Sequence, residues 1–234
     1  MKYRIAMFEF ALAMKTTLLI SCLLVFGMVF AAMTASASIV AMDFIGPEGN
    51  SSGGRYTYPY YFTINGSGTN LLFCDTFSNE ISPGQQWNAN TLGVGALNSG
   101  NVTNLEFPAA GVTGYLEASY LFVEEANAYT GGNTDPKGFY NWAAWDLLSG
   151  KDVSGSNLDA GDEAQVQTYL SAAESLGNHG SLTPSQFSNV TIYTPTNTGV
   201  SGPQEFFGEV PEPGTVTLVV MGLMSLLAFC HRRK

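Results

Sequence analysis

Chemistry in this chain centres on one sulfur. Of its three cysteines, Cys22 falls in an apolar N-terminal stretch and Cys230 in an apolar C-terminal one, so Cys74 is the sole thiol of the polar body between them. A lone cysteine closes no internal disulfide, and in an oxidising compartment it is either buried and inert or capped by other chemistry. His179 is the only histidine before the tail, in Gly177-Asn178-His179-Gly180, a run that suits the end of a helix. A zinc centre or a histidine-assisted nucleophile would therefore lack partners, and no cofactor is implied. Asp and Glu are scattered and define no acid pair, which leaves a carboxylate-based hydrolase as a class without a motif.

The elements that would position Cys74 follow from periodicity. Leu71-Leu72-Phe73-Cys74-Asp75-Thr76-Phe77 predicts a strand with Leu72, Cys74 and Thr76 on one face and Leu71, Phe73, Asp75 and Phe77 on the other. Ile39 to Ile45 and Arg55 to Ile64 read as further strands, the second interrupted by Pro59. Gly46 to Gly54 and Asn65-Gly66-Ser67-Gly68 read as loop and turn, and the asparagine-rich stretch 88–104 as mostly loop. After Gly114 the period becomes helical. Leu116, Tyr120, Val123 and Asn127 place a helix over 115–129, with Glu117, Glu124 and Glu125 towards water. Asp135-Pro136 opens a second helix, 136–149, closed by Gly150, on which Asn141 and Trp145 lie one turn apart. A third helix spans about 162–176, with Val166, Tyr169, Leu170 and Ala173 apolar. Thr183 to Phe187 forms a turn, 189–194 a last strand, and 196–209 a linker. The expected fold class is α+β: a β-rich sandwich or barrel-like domain over 38–195, with a helical insertion around 115–176.

Both ends of the chain read as addresses. Lys15, the apolar stretch from Leu18 to Ala32 and Ala35-Ser36-Ala37 form a secretory signal over 1–37, and Met14 is an alternative start. Leu19-Ile20-Ser21-Cys22 loosely matches a lipoprotein cleavage box, and a retained N-terminal anchor is a further alternative. At the other end, Val210-Pro211-Glu212-Pro213 precedes an apolar run over 214–230 and the basic Arg232, Arg233 and Lys234. Its uncharged part would span roughly 24 Å as a helix, somewhat less than the ~30 Å hydrocarbon core. The three cations act as a membrane stop and set the C-terminus on the cytoplasmic side. Of the 19 acidic residues only Glu9 precedes Ser38, whereas Arg55, Lys137 and Lys151 are the only bases between Ser38 and Pro213, giving that region a formal charge of about −15. Such a surface excludes nucleic acid as a partner. No segment has the acidic alternation and central glycine of a calcium loop.

Two resemblances join these observations. Val210-Pro211-Glu212-Pro213, the apolar run and the arginines resemble the PEP-CTERM sorting signal of Gram-negative bacteria, a motif also catalogued at the C-terminus of some ice-binding proteins. That resemblance implies export and recognition by an exosortase. It further implies a temporary membrane anchor through the C-terminal helix, cleavage at or near the motif, and release or attachment to extracellular polysaccharide. Phe73-Cys74-Asp75, together with Tyr140-Asn141-Trp142-Ala143-Ala144-Trp145, resembles the thioester domains of bacterial surface adhesins. In that family the cysteine thiol attacks a glutamine carboxamide, ammonia leaves, and the internal thioester later acylates an amine. The pattern lays the cysteine on Cys74 and the closing tryptophan on Trp145, with Phe73 and Tyr140 as the apolar flanks. The glutamine position is Asn141, one methylene short. A misplacement near 1 Å costs such a reaction about a hundredfold in rate, so the simpler expectation is a hydrogen bond or packing contact beside a free Cys74. Three classes follow. The first is a sorted surface or matrix protein that binds or builds noncovalently, with no enzymatic activity. The second is a covalent adhesin using Cys74 and Asn141, and the third the hydrolase. Ice binding is a minor alternative, because regular Thr-X-Thr arrays are missing.

Overall fold

The computed structural model describes residues 38–131, 138–151, 156–197, 202–209 and 222. The signal segment 1–37, the sorting motif 210–213, the anchor 214–230 apart from Gly222, the stop 232–234 and the Asp135-Pro136 helix start lie outside the described residues. Among the described residues no helix is long and apolar enough to cross a membrane.

Alternating burial builds the strands. In β1 (Ile39–Pro47), Val40, Met42 and Phe44 are buried between more exposed neighbours. A two-strand hairpin follows, β2 (Ser51–Ser52) and β3 (Arg55–Tyr56). Then come β4 (Tyr60–Ile64), β5 (Ser67–Cys74) and β6 (Gln86–Gly93). After the helices the chain returns as β7 (Val190–Pro195) and β8 (Phe206–Glu209). Six strands close an antiparallel barrel in the order β1-β4-β5-β8-β7-β6. Closure pairs every strand on both sides and leaves no open edge.

The expected α+β class, with a barrel-like part and a helical insertion, is what the chain forms, but two segments differ from the sequence reading. The stretch read as loop from residue 88 begins with β6, which pairs with both β1 and β7. Its Asn88 and Asn90 face solvent while Ala89 is fully buried, so polar outward residues hide a strand with an inward apolar position. The stretch read as a linker, 196–209, carries β8, which bridges β5 and β7 and completes the barrel. Its Phe206 and Phe207 are fully buried, and the domain therefore runs through Glu209 rather than ending at Pro195.

Neighbouring phenylalanines on β8 face opposite ways. Phe206 packs inside the barrel, its ring 4.8 Å from Phe62 and 5.7 Å from Tyr60. Phe207 faces the helices, 6.3 Å from Phe122 and 6.2 Å from Tyr115. In register, Cys74 lies opposite Phe206 and Phe73 opposite Phe207, so Cys74 shares the barrel face and Phe73 the helix face.

Between β6 and β7 lie three helices, α1 (Gly111–Thr130), α2 (Phe139–Ser149) and α3 (Ala160–Asn178). The buried stripe of α1 runs through Tyr115, Ala118, Ser119, Phe122 and Ala126. Glu117 and Glu125, expected towards water, are buried. Gly177 on α3 allows that approach for Glu117, because a Cβ at Gly177 would overlap the glutamate side chain. Asp159 caps α3, its Oδ1 accepting from the backbone N–H groups of Gly161 and Asp162 at 2.9 Å each. Gly138 starts α2 in the left-handed region, φ 74°, tight against Thr57, where a Cβ would overlap. This seats the first turn of α2 on the chain leading into β4.

Candidate functional site

Asn141 stands in that first turn and is fully buried. Its Oδ1 accepts from the Tyr58 backbone N–H at 2.7 Å, and its Nδ2 donates to the Cys74 backbone carbonyl at 2.6 Å. The carboxamide therefore spans the segment entering β4 and the end of β5. Neither backbone group can reach water, so the bracing matters for the fold: a buried amide or carbonyl without a partner costs about 1–3 kcal/mol.

The Cys74 side chain points elsewhere. Its Sγ is fully buried and donates to the Thr76 carbonyl at 3.2 Å. Trp145, one helical turn beyond Asn141, is buried near Cys74, and its indole N–H has no hydrogen-bond partner among the described residues. Burial pushes the thiol well above its ordinary pKa, and the neighbouring carboxyl of Asp75 adds to this. The sulfur is thus held as the neutral thiol, a poor nucleophile.

The structure gathers Cys74, Asn141 and Trp145, and separates the two flanking residues of the motif. Tyr140 stacks on Tyr169 of α3, with ring centroids 4.0 Å apart. Phe73 packs behind the strand with Tyr58 and Phe122, at 6.2 and 5.7 Å. Around Trp145 lies an aromatic cluster in which no sequence pattern had placed Phe77. Phe77 lies 5.3 Å from Trp145 and 5.5 Å from Trp142, and Trp142 donates its indole N–H to the Ser52 carbonyl at 3.2 Å.

The sequence reading also missed a knot of carboxyls next to Cys74. Glu205, fully buried just before β8, accepts from the Tyr115 hydroxyl at 2.7 Å, from the Glu106 backbone N–H at 3.1 Å, and from Thr194 Oγ1. Asp75 is fully buried beside it, and its Oδ2 has no protein donor. Burial, then the charges of Glu205 and Glu106, raise the Asp75 pKa well above the usual carboxylate range. The two residues meet through the backbone, the Asp75 N–H donating to the Glu205 carbonyl at 3.4 Å. Glu106, mainly by burial, is raised to about 7. Glu205 escaped notice because it lay in the supposed linker, and Asp75 because a single acid on a strand carries no pattern. Among the described residues no group of His, Cys, Asp and Glu could hold a metal ion.

Taken together, the described residues form a closed six-stranded antiparallel barrel capped by three helices, pinned at one end by an asparagine brace over a buried cysteine. No protein-family model matches this chain, and no curated protein matches it. Among solved structures, the N-terminal domain of the Streptococcus pyogenes pilus tip adhesin Cpa superposes with a TM-score of 0.43 and 12% identity, over 77% of this chain and 97% of that one. The site is defined by its own geometry.

Proposed function

We propose that the chain is an exported surface or extracellular-matrix protein that acts noncovalently, as a binding or structural module without catalysis, and that an exosortase sorts it through its C-terminal segment. The observation that carries the noncovalent reading is the engagement of the Asn141 carboxamide at both ends. Thioester formation would expel Nδ2 as ammonia and strip the Cys74 carbonyl of its buried donor, at a cost of about 1–3 kcal/mol, and it would start from a neutral thiol that donates to Thr76 instead. Export, a transient membrane anchor and an extracellular polysaccharide partner rest on the signal segment, Val210-Pro211-Glu212-Pro213 and the terminal cations.

A covalent adhesin is the second reading, favoured by the placement of the carboxamide directly against the Cys74 residue, with Nδ2 2.6 Å from its carbonyl oxygen. Intact mass, thiol titration and methylamine treatment of residues 38–209 separate the two. The noncovalent reading requires the unmodified mass and one thiol that titrates on unfolding. A mass lower by one ammonia, restored to an amide adduct by methylamine, would establish the thioester instead. Expression beside an exosortase tests the sorting: loss of the residues after the Pro-Glu-Pro motif is expected, and a mature protein that keeps Lys234 would sink that part of the proposal.

A further inference from the structure

We infer that the cavity at the barrel mouth beside Cys74 is a subsite for an uncharged glycan segment; this rests on the noncovalent reading above and gives it a location and a ligand class. The cavity has a volume of about 350 Å³, within the roughly 300–1,000 Å³ of pockets that enclose small ligands. It opens between the β2–β3 hairpin and the chain after β5, and Trp145 forms part of its wall. Because Thr76, which lines it, also accepts from the Cys74 sulfur, the cavity adjoins the brace without including it.

A sugar presents two kinds of surface, C–H faces that pack on aromatic rings and hydroxyls that pair with planar polar groups. The cavity supplies both. Tyr56 offers an exposed ring, Arg55 and Glu80 offer guanidinium and carboxylate planes, and Asn79 and Gln204, whose amide N–H groups are already bonded within the fold, offer their oxygens. Tyr56 is 58% exposed. The other large apolar side chains exposed among the described residues, Ile39 and Ile45, do not line the cavity. An aromatic ring left in water at a concave polar site is the informative kind of exposure.

The overall charge of the region disfavours a polyanionic ligand. Arg55 is held by Glu80 at 2.9 Å, so this pair gives the rim a donor and an acceptor side by side without net charge. The guanidinium has further N–H groups to offer a hydroxyl. Arg55 and Lys151 lie 5.1 and 4.8 Å from the centre of the Phe77 ring. These are two of the three bases between Ser38 and Pro213, in a region whose acids repel a polyanion. The closed barrel offers an extended peptide no edge, and the β2–β3 hairpin, with two residues to a strand, offers only a short one.

Calorimetric titration of residues 38–209, which contain all the barrel strands and the three helices, tests the assignment with cellohexaose, maltohexaose and mannohexaose, and with hexagalacturonate as the charged probe. At least one neutral hexasaccharide should bind, with affinity little changed between ~0.05 and ~0.5 M salt. Tyr56→Ala should weaken it by about tenfold or more and Tyr56→Phe by no more than about twofold, since the ring does the packing. The Tyr56 side chain is exposed, so an unchanged thermal melt shows that Tyr56→Ala has kept the fold. Neutral-glycan binding that survives both Tyr56→Ala and Glu80→Ala would move the site elsewhere and overturn this assignment, while leaving the noncovalent reading standing. Binding to hexagalacturonate alone, or to none of the four, would overturn it as well. A methylamine-labile thioester in the same preparation would instead remove the function beneath it, by a readout independent of glycans.

Discussion

Replacing Asn141 with alanine removes one side chain and strands two backbone groups. The Tyr58 N–H and the Cys74 carbonyl, bonded to the carboxamide at 2.7 and 2.6 Å, lie in a region closed to water by Trp142, Trp145 and Phe73. At about 1–3 kcal/mol for each buried group left without a partner, Asn141→Ala should cost roughly 2–6 kcal/mol, out of a total stability of about 5–15 kcal/mol. Asn141→Asp sharpens the test. The carboxyl can still accept from Tyr58, but its second oxygen meets the Cys74 carbonyl, and only the protonated form can donate there. That raises the folded-state pKa of the new acid above its unfolded value. The aspartate variant should therefore approach the parent below about pH 4 and lose stability as pH rises above it. Urea denaturation of residues 38–209 at several pH values measures both effects. A loss under about 1 kcal/mol for Asn141→Ala, or an aspartate variant whose deficit ignores pH, would mean that the carboxamide does not brace α2 against the barrel.

The parent domain should itself be more stable at mildly acidic than at mildly alkaline pH. Burial raises Glu106 to about 7 and Glu125 to about 8, and lifts Asp75 well above its ordinary value; the folded state then holds protons that the unfolded chain releases near pH 4, so stability is full below that point and falls as pH rises through 7 to 8. A urea midpoint that climbs from pH 5 to pH 8 would contradict the buried carboxyl knot. Truncation tests β8: residues 38–209 should unfold cooperatively, whereas 38–203 should not. The shorter piece loses Phe206 and Phe207, roughly 1.5–3 kcal/mol each, and exposes β5 and β7 as bare edges. A cooperative transition in 38–203 would return the segment to linker status.

What the sequence disclosed depended on whether a pattern was local. Leu72 and Cys74 on one face of the strand and Phe73 on the other were legible from period two, and the register with Phe206 and Phe207 repeats that alternation. Asn141 and Trp145 were legible as neighbours because four residues make about one helical turn, and they do converge on Cys74. The strand over Gln86–Gly93 was not, since its outward positions are asparagines that mimic loop composition and its identity comes from pairing with partners more than 40 and about 100 residues away. The same holds for Phe206–Glu209, too short to show a period and preceded by turn-forming residues. Burial of Glu117, Glu125 and Glu205 was illegible for a different reason. A charged side chain reads as solvated until the residues that cover it are known, and here α3 covers Glu117, the start of α2 lies by Glu125, and the barrel end encloses Glu205.

Closure by β8 also bears on how such a chain could be processed. Glu209, the last residue of the barrel, is followed directly by Val210 of the proposed sorting motif, so the folded body and the cleavage signal share no spacer. A cut at or after Pro211 leaves every barrel hydrogen bond of β8 in place. A cut only a few residues earlier would remove Phe207 or its neighbours and open the barrel beside the Asp75–Glu205 contact. Processing that spares the domain must therefore act after Glu209, and the barrel's final strand sets the upstream limit for the proposed exosortase cleavage.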